Sequence, residues 1–300
     1  MRRNTILLLT FLSFSHVIQG QTILLRQKIE KITSARSATI GVALSGSGDT
    51  LTIHGNQHFP MQSVYKFHLA LAILDQVDKG KLFLDQKIRI EKSDLHENTW
   101  SPLRKDHPDD NVYIPLSKLL QYTVSLSDNN GCDILFRLLG GPGKVNDYIH
   151  TLGCKDVSIV ATEEQMHKEW NVQYANWGTP RMALELLQKF YEGAILSKKS
   201  HDFLWQLMVE SVKSERLKGL LPNETIVAHK SGTSDTNENG ITAAVNDIGI
   251  IITPDKKPIF IAIFVSDSKE TASDNEKIIA EIAKAAWDYF TSTPTVKRER

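Results

Sequence analysis

Three short polar motifs set far apart in a 300-residue chain constrain its fold most, because their chemistry needs them in one place. They are Ser63-Val64-Tyr65-Lys66, Ser127-Asp128-Asn129 and Lys230-Ser231-Gly232. The first opens an apolar segment behind the turn signal His58-Phe59-Pro60. That pattern predicts a helix running to about Asp78 and closed by Lys79-Gly80. Residues three apart on a helix share a face, so the Lys66 amine can stand beside the Ser63 hydroxyl. The first N–H groups of a helix lack internal partners and carry partial positive charge, which suits an oxyanion. A hydroxyl is a weak nucleophile until a base takes its proton, and a desolvated lysine can be that base.

Ser-x-x-Lys alone is a weak signal, and Ser266-Asp267-Ser268-Lys269 repeats it. Ser273-Asp274-Asn275 likewise repeats the second motif. These copies crowd together after Lys230, with no Lys-Ser/Thr-Gly behind them. Only Ser63, Ser127 and Lys230 follow the order of the catalytic set Ser-x-x-Lys, Ser-Asp-Asn, Lys-Thr-Gly, with Ser in place of Thr in the last. Residues 266–275 are expected to be a strand end and a helix N-cap.

Lys+Arg 35 against Asp+Glu 35 leaves zero formal net charge, which points to neither nucleic acid nor an anionic membrane as partner. Arg2-Arg3 precede an apolar run from Ile6 to Phe14, then small and polar residues up to Gly20. That is a secretory signal pattern over residues 1–20, too short to span a bilayer. The mature chain is expected in the periplasm, as a monomer without stable membrane association. Cys132 and Cys154 are too few for a disulfide framework. A Cys132–Cys154 bridge remains open, and a buried free thiol at Cys132 is the preferred reading. The histidines show no metal-ligand spacing, and neither metal nor cofactor is expected.

Read in order, Ile23 to Ile32 has helical spacing, Thr39 to Leu44 and Leu51 to His54 form a hairpin, and residues 82–203 are mostly helix and loop. Strands return at Thr225 to Lys230, Asp247 to Thr253 and Pro258 to Val265, followed by a helix from about Asp274 to Phe290. Strands at both ends and helices between predict an α+β fold with an antiparallel sheet. Residues 21–58 and 206–292 would form the α/β domain, 59–205 a helical domain, and 293–300 a charged tail. The site would lie in the cleft between them. Residues 155–180 lack clear periodicity and read as a long functional loop.

Several stretches together resemble the class A serine β-lactamases, nearest the extended-spectrum, cephalosporin-hydrolysing branch that includes the PER and VEB enzymes. They are Phe59 to Lys66, Leu119-Leu120-Gln121-Tyr122 with the Ser127 motif, Glu163-Glu164-Gln165-Met166-His167, Arg216 to Pro222 and His229 to Thr233. The resemblance spans essentially the whole mature chain. It implies that Ser63 attacks the lactam carbonyl, with Lys66, or Glu163 through a water, taking its proton. The backbone N–H groups of Ser63 and Thr233 would form the oxyanion hole. Ser127 would protonate the departing nitrogen, and Glu163 would activate the deacylating water from an Ω-shaped loop. Asn129 would hold the substrate amide and help place Lys66. Lys230 would lower the pKa of its neighbours and add positive potential, Ser231, Thr233 and Arg216 would meet the substrate carboxylate, Gly232 would join them in binding substrate, and Trp100 would line the cleft entrance.

Two departures from the family pattern stand out. His167 occupies the water-orienting position that is Asn in most of the family and His in this branch. The positions of the usual loop-closing Arg–Asp pair are Ala161 and Asn176, so the loop must be held differently, and a roomier site for bulky oxyimino-cephalosporins is expected. The alternative is a penicillin-binding transpeptidase, acylated but slowly released; Glu163 argues against it. A non-hydrolytic β-lactam sensor would have to lack one of Ser63, Lys66, Ser127 or Glu163.

Overall fold

The computed structural model describes residues 22–292 except 110 and 213, so the expected signal segment and charged tail lie outside the described residues. In chain order its main elements begin with α1 (22–34), β1 (Thr39–Gly46), β2 (Asp49–Ile53) and α2 (Tyr65–Asp78). There follow α3 (Leu116–Val124), α4 (Asn129–Leu139), α5 (Pro142–Thr151), α6 (Glu163–Lys168), α7 (Pro180–Tyr191) and α8 (Lys198–Val209). The chain closes with β3 (Ile226–Thr233), β4 (Thr242–Ile252), β5 (Pro258–Ser268) and α9 (Ala272–Ser292).

The five strands form one antiparallel sheet in the order β2-β1-β5-β4-β3. The N-terminal hairpin therefore joins strands from the far end of the chain, as the α+β expectation requires. β4 and β5 are buried almost throughout, so layers must cover both faces of the sheet. On one face Leu25 and Ile29 of α1 and Ile278 and Ile282 of α9 meet Val42, Leu44, Ile261 and Ile263. On the other, Ala43, Ile248, Ile250, Ala262 and Phe264 share a core with the helical region. α7 falls within the segment expected to be helical domain, yet it packs on β1 and β5. The two parts thus share one apolar core rather than meeting only at a cleft.

α2 is the axis of the helical region, with every residue from Tyr65 to Leu74 buried. A helix enclosed on all sides has no solvent face to carry charge, and Lys66 and His68 are its exceptions. His68 was expected to be a core histidine; burial lowers its pKa to about 4, which keeps it neutral. Cys132 and Cys154 are both free and buried, and burial raises both thiols. The repeated motifs near the end of the chain behave as expected. Ser266 and Ser268 end β5, and Thr271 accepts from the Asp274 amide at the start of α9.

Candidate active site

Ser63 sits in a single 3-10 turn, Gln62–Val64, that leads into α2. Gln62 before it has φ +49° and Ser127 has φ +57°, a left-handed conformation that costs non-glycine residues free energy unless the surroundings impose it. The surroundings do. The Asn246 side chain donates to the carbonyls of Pro60 and Met61, and the Met61 amide donates to the Asn176 carbonyl. From the other side the Gln62 side-chain Nε2 donates to the Gln173 side-chain oxygen at 2.6 Å.

Gly232 explains how the third motif reaches the first. A Cβ at this position would lie 2.5 Å from the Met61 carbonyl oxygen and 3.1 Å from the Ser63 nitrogen. Only glycine lets β3 come so near the serine's backbone N–H.

Lys66 is fully buried, and its amine donates to the Ser127 carbonyl (2.9 Å) and to the Asn129 side chain, and lies 3.0 Å from Glu163 Oε1. Lys230, also buried, donates to the Ser127 hydroxyl (3.0 Å) and to the Ser231 carbonyl (2.9 Å). Ser127 is thus gripped through its carbonyl by one lysine and through its hydroxyl by the other. Burial foremost, then the nearby positive charge of Lys66, lowers the pKa of Lys230 to about 7; Asp247 and Glu163 oppose the shift. Asp128, between Ser127 and Asn129, does structural work. Its carboxylate caps α4 through the Gly131 amide and accepts from the Ser101 hydroxyl and the Leu103 amide.

The segment expected to be an unstructured loop contains α6 and a 3-10 run, Trp170–Ala175. The signal was present but overlooked: Thr162-x-x-Gln165 is a capping box, closed in both directions at 3.2 and 2.9 Å. Asp133, one turn after Asn129 on α4, accepts from the amides of Glu163 and Glu164 at 2.8 and 2.9 Å. Burial, with the Glu163 charge second, raises the Asp133 carboxyl to about 7. Glu163 enters the cleft and is buried, whereas Glu164 is half-buried and pairs with Lys168. This geometry separates the two adjacent carboxylates.

Asn176 does what an ion pair would otherwise do. Its side-chain oxygen accepts from the amides of Val160 and Ala161, and its nitrogen donates to the Ala161 carbonyl, all within 2.9 Å and fully buried. Asn176→Ala should therefore orphan three backbone groups and cost roughly 2–4 kcal/mol. Thermal unfolding followed by circular dichroism should show the midpoint falling by roughly 5–10 °C.

These elements enclose a cleft of about 600 Å³ whose lining includes Ser63, Trp100, Asn129, Glu163, His167 and Thr233. Trp100 is 63% exposed at its rim, its indole N–H tied to the Leu126 carbonyl.

The comparisons with known proteins fit this geometry. A family profile described as "Beta-lactamase enzyme family" matches residues 24–290. The chain is 49% identical to Beta-lactamase VEB-1 of Pseudomonas aeruginosa over 294 residues, covering 96% of this chain and 98% of that one. It is 46% identical to Extended-spectrum beta-lactamase PER-1 of the same organism, covering 95% and 93%. The chain belongs to the β-lactamase family. It is a class A serine β-lactamase. The crystal structure of TLA-1 extended spectrum Beta-lactamase superposes with a TM-score of 0.88 at 55% identity, covering 89% of this chain and 98% of that one.

In this β-lactamase Arg216, expected to meet the substrate carboxylate, is buried behind Thr233. Its guanidinium donates to the carbonyls of Gly232 and Asn246 and, at 2.7 Å, to the Thr233 hydroxyl. With its two terminal nitrogens bonded to β3 and β4 and its Nε facing Glu276 of α9 at 3.4 Å, it orients Thr233, which does line the cleft. Asn246, Gln62 and Gln173 escaped the sequence reading because nothing local distinguishes them from other polar residues.

Proposed function

We propose that Ser63 is the nucleophile of this β-lactamase and Glu163 the base that activates the water for deacylation. The observation that carries this is the buried junction at Lys66, whose amine meets Glu163, Asn129 and Ser127 at once. Lys66, or Glu163 through a water, takes the Ser63 proton. The oxyanion then forms against the Ser63 and Thr233 amides, where each donor contributes about 2.7–4 kcal/mol to lowering the barrier. Ser127, held by both lysines, passes a proton to the departing nitrogen. Asn129 holds the substrate's side-chain amide. Lys230, Ser231 and Thr233, with Arg216 behind them, receive its carboxylate, a group that cationic and hydroxyl donors suit. His167, one turn after Glu163, flanks the water, and Trp100 packs on the substrate's outer part.

The substrates are cephalosporins and penicillins, including bulky oxyimino compounds. The enzyme acts as an exported, periplasmic monomer and protects its host from these drugs. The test is the stoichiometry of β-lactam loss, followed by ultraviolet absorbance, with purified residues 21–300 and excess cephalosporin. Loss of many equivalents per protein supports the reading; loss that stops near one equivalent overturns it in favour of a penicillin-binding protein.

The state of Lys230 also predicts a pH profile. Below a pKa of about 7 its amine is cationic and attracts the substrate carboxylate; above it that attraction fades. Hence kcat/KM for an anionic cephalosporin should fall as pH rises through about 7 and beyond, chiefly through KM, in initial-rate measurements between pH 5.5 and 9.

A further inference from the structure

Behind the cleft wall lies a buried polar pair that the reaction above does not use. His229 precedes Lys230 on β3 and is 1% exposed, while Asp247 on β4 is fully buried. His229 Nδ1 lies 2.9 and 3.1 Å from the two Asp247 oxygens, and its Nε2 is buried without a hydrogen-bond partner among the described residues. Polar groups are expensive to bury unless they are paired, and these two pair with each other. The fold makes room for the pair. A Cβ at Gly249, opposite His229 across the strands, would lie 2.8 Å from the His229 Cβ and 3.1 Å from the Leu217 side chain. Asp247 also accepts, at a long 3.4 Å, from the Leu217 amide. Leu217 follows Arg216, whose guanidinium is bound to the carbonyl of Asn246, the neighbour of Asp247. The pair therefore touches both the strand that ends in Lys230–Thr233 and the segment that carries Arg216.

We propose that His229 and Asp247 are positioning residues for the carboxylate-binding wall, aligning Arg216 behind Thr233 and so governing substrate capture rather than hydrolysis of the acyl-ester. This rests on the roles assigned above to Arg216, Thr233 and Lys230. The pair acts on that wall by charge as well. The charged groups facing Lys230 are Lys66 from α2, Glu163 from α6, Arg216 from its own segment and Asp247 from β4. Of these, the Asp247 carboxylate and Glu163 favour the cationic amine, Asp247 the more strongly. Removing its charge moves the loss of the Lys230 proton to lower pH.

The experiment uses Asp247→Asn, which keeps the shape and removes the charge, beside His229→Asn, whose side-chain amide can still donate toward Asp247. The expected result for Asp247→Asn is a KM for cephalosporin raised about tenfold with kcat changed less than about twofold. The basic limb of its kcat/KM profile should also shift down by about half a pH unit or more. His229→Asn should recover most of the parental KM. Should Asp247→Asn fail to fold, the double variant His229→Leu with Asp247→Leu removes both members of the pair together, leaving only the long Leu217 amide contact without its acceptor, and should show the same two changes. A folded variant with parental KM and pH profile would reduce the pair to packing and overturn the proposal. A fall in kcat with acyl-enzyme accumulating would overturn it too, placing the pair with the hydrolytic water. Failure of the underlying reading would look different, since the unmodified protein would itself stop near one equivalent.

Discussion

Glu163→Gln protein mixed with excess cephalosporin should consume about one equivalent of drug and then stall. Intact-mass spectrometry should find the protein heavier by one opened substrate, attached at Ser63. The expectation follows from where the carboxylate stands. Glu163 is buried in the cleft on α6, its backbone amide held by Asp133 and its Oε1 facing the Lys66 amine. From there it can take a proton from a water aimed at the acyl-ester, and glutamine cannot. Positioned proton transfer is worth typically 10²–10⁴-fold, so deacylation should slow by about 10³. Lys66 keeps its Ser127 and Asn129 acceptors, so the fold and the acylation step should survive. Rapid turnover by this variant would remove Glu163 from its role. Loss of acylation as well would make it the base for both steps.

The second large effect is at Ser63. Ser63→Ala should bind cephalosporin, form no covalent adduct by mass and lose on the order of 10⁶ in kcat, as loss of a nucleophile does elsewhere. The anchors of its turn are supplied by other residues: Asn246, Asn176 and Gln173 hold that segment through its neighbours. The midpoint of thermal unfolding should thus stay within about 2 °C of the parent, since substitutions that break no such anchor usually change stability by no more than about 0.5 kcal/mol. Residual turnover with a covalent adduct would mean that another group is the nucleophile.

How far the sequence can be read depends on how local the cause is. The sheet was legible from apolar runs at Thr39 to Leu44 and Pro258 to Val265, and its mixed parentage from strands lying at both ends of the chain. The three motifs were legible because their order and spacing exclude the copies at 266–275. α6 was missed although Thr162 and Gln165 announce it, because six residues of helix are too few to show periodicity. The seat of Arg216 was not legible at all. An arginine looks the same in sequence whether it faces a ligand or spends its donors on carbonyls, and only the β3–β4 pairing decides. The roles of Asp133 and Asn176 likewise depend on backbone amides distant in the chain. Asp133 left the trace of lying one turn from Asn129.

Among the described residues the sheet ends at β3, which has β4 on one side and no strand on the other. A bare strand edge invites pairing with another chain, and proteins usually blunt it with charge, proline or a covering segment. Here α8 and the Gln62–Val64 turn pack against β3, and the close fit at Gly232 brings that turn in. The residues that build the nucleophile's seat therefore also act as a stopper against self-association. Selection for a well-formed catalytic turn and selection for solubility fall on the same few contacts, so side chains that loosen Gly232 would threaten the catalyst's solubility along with its rate.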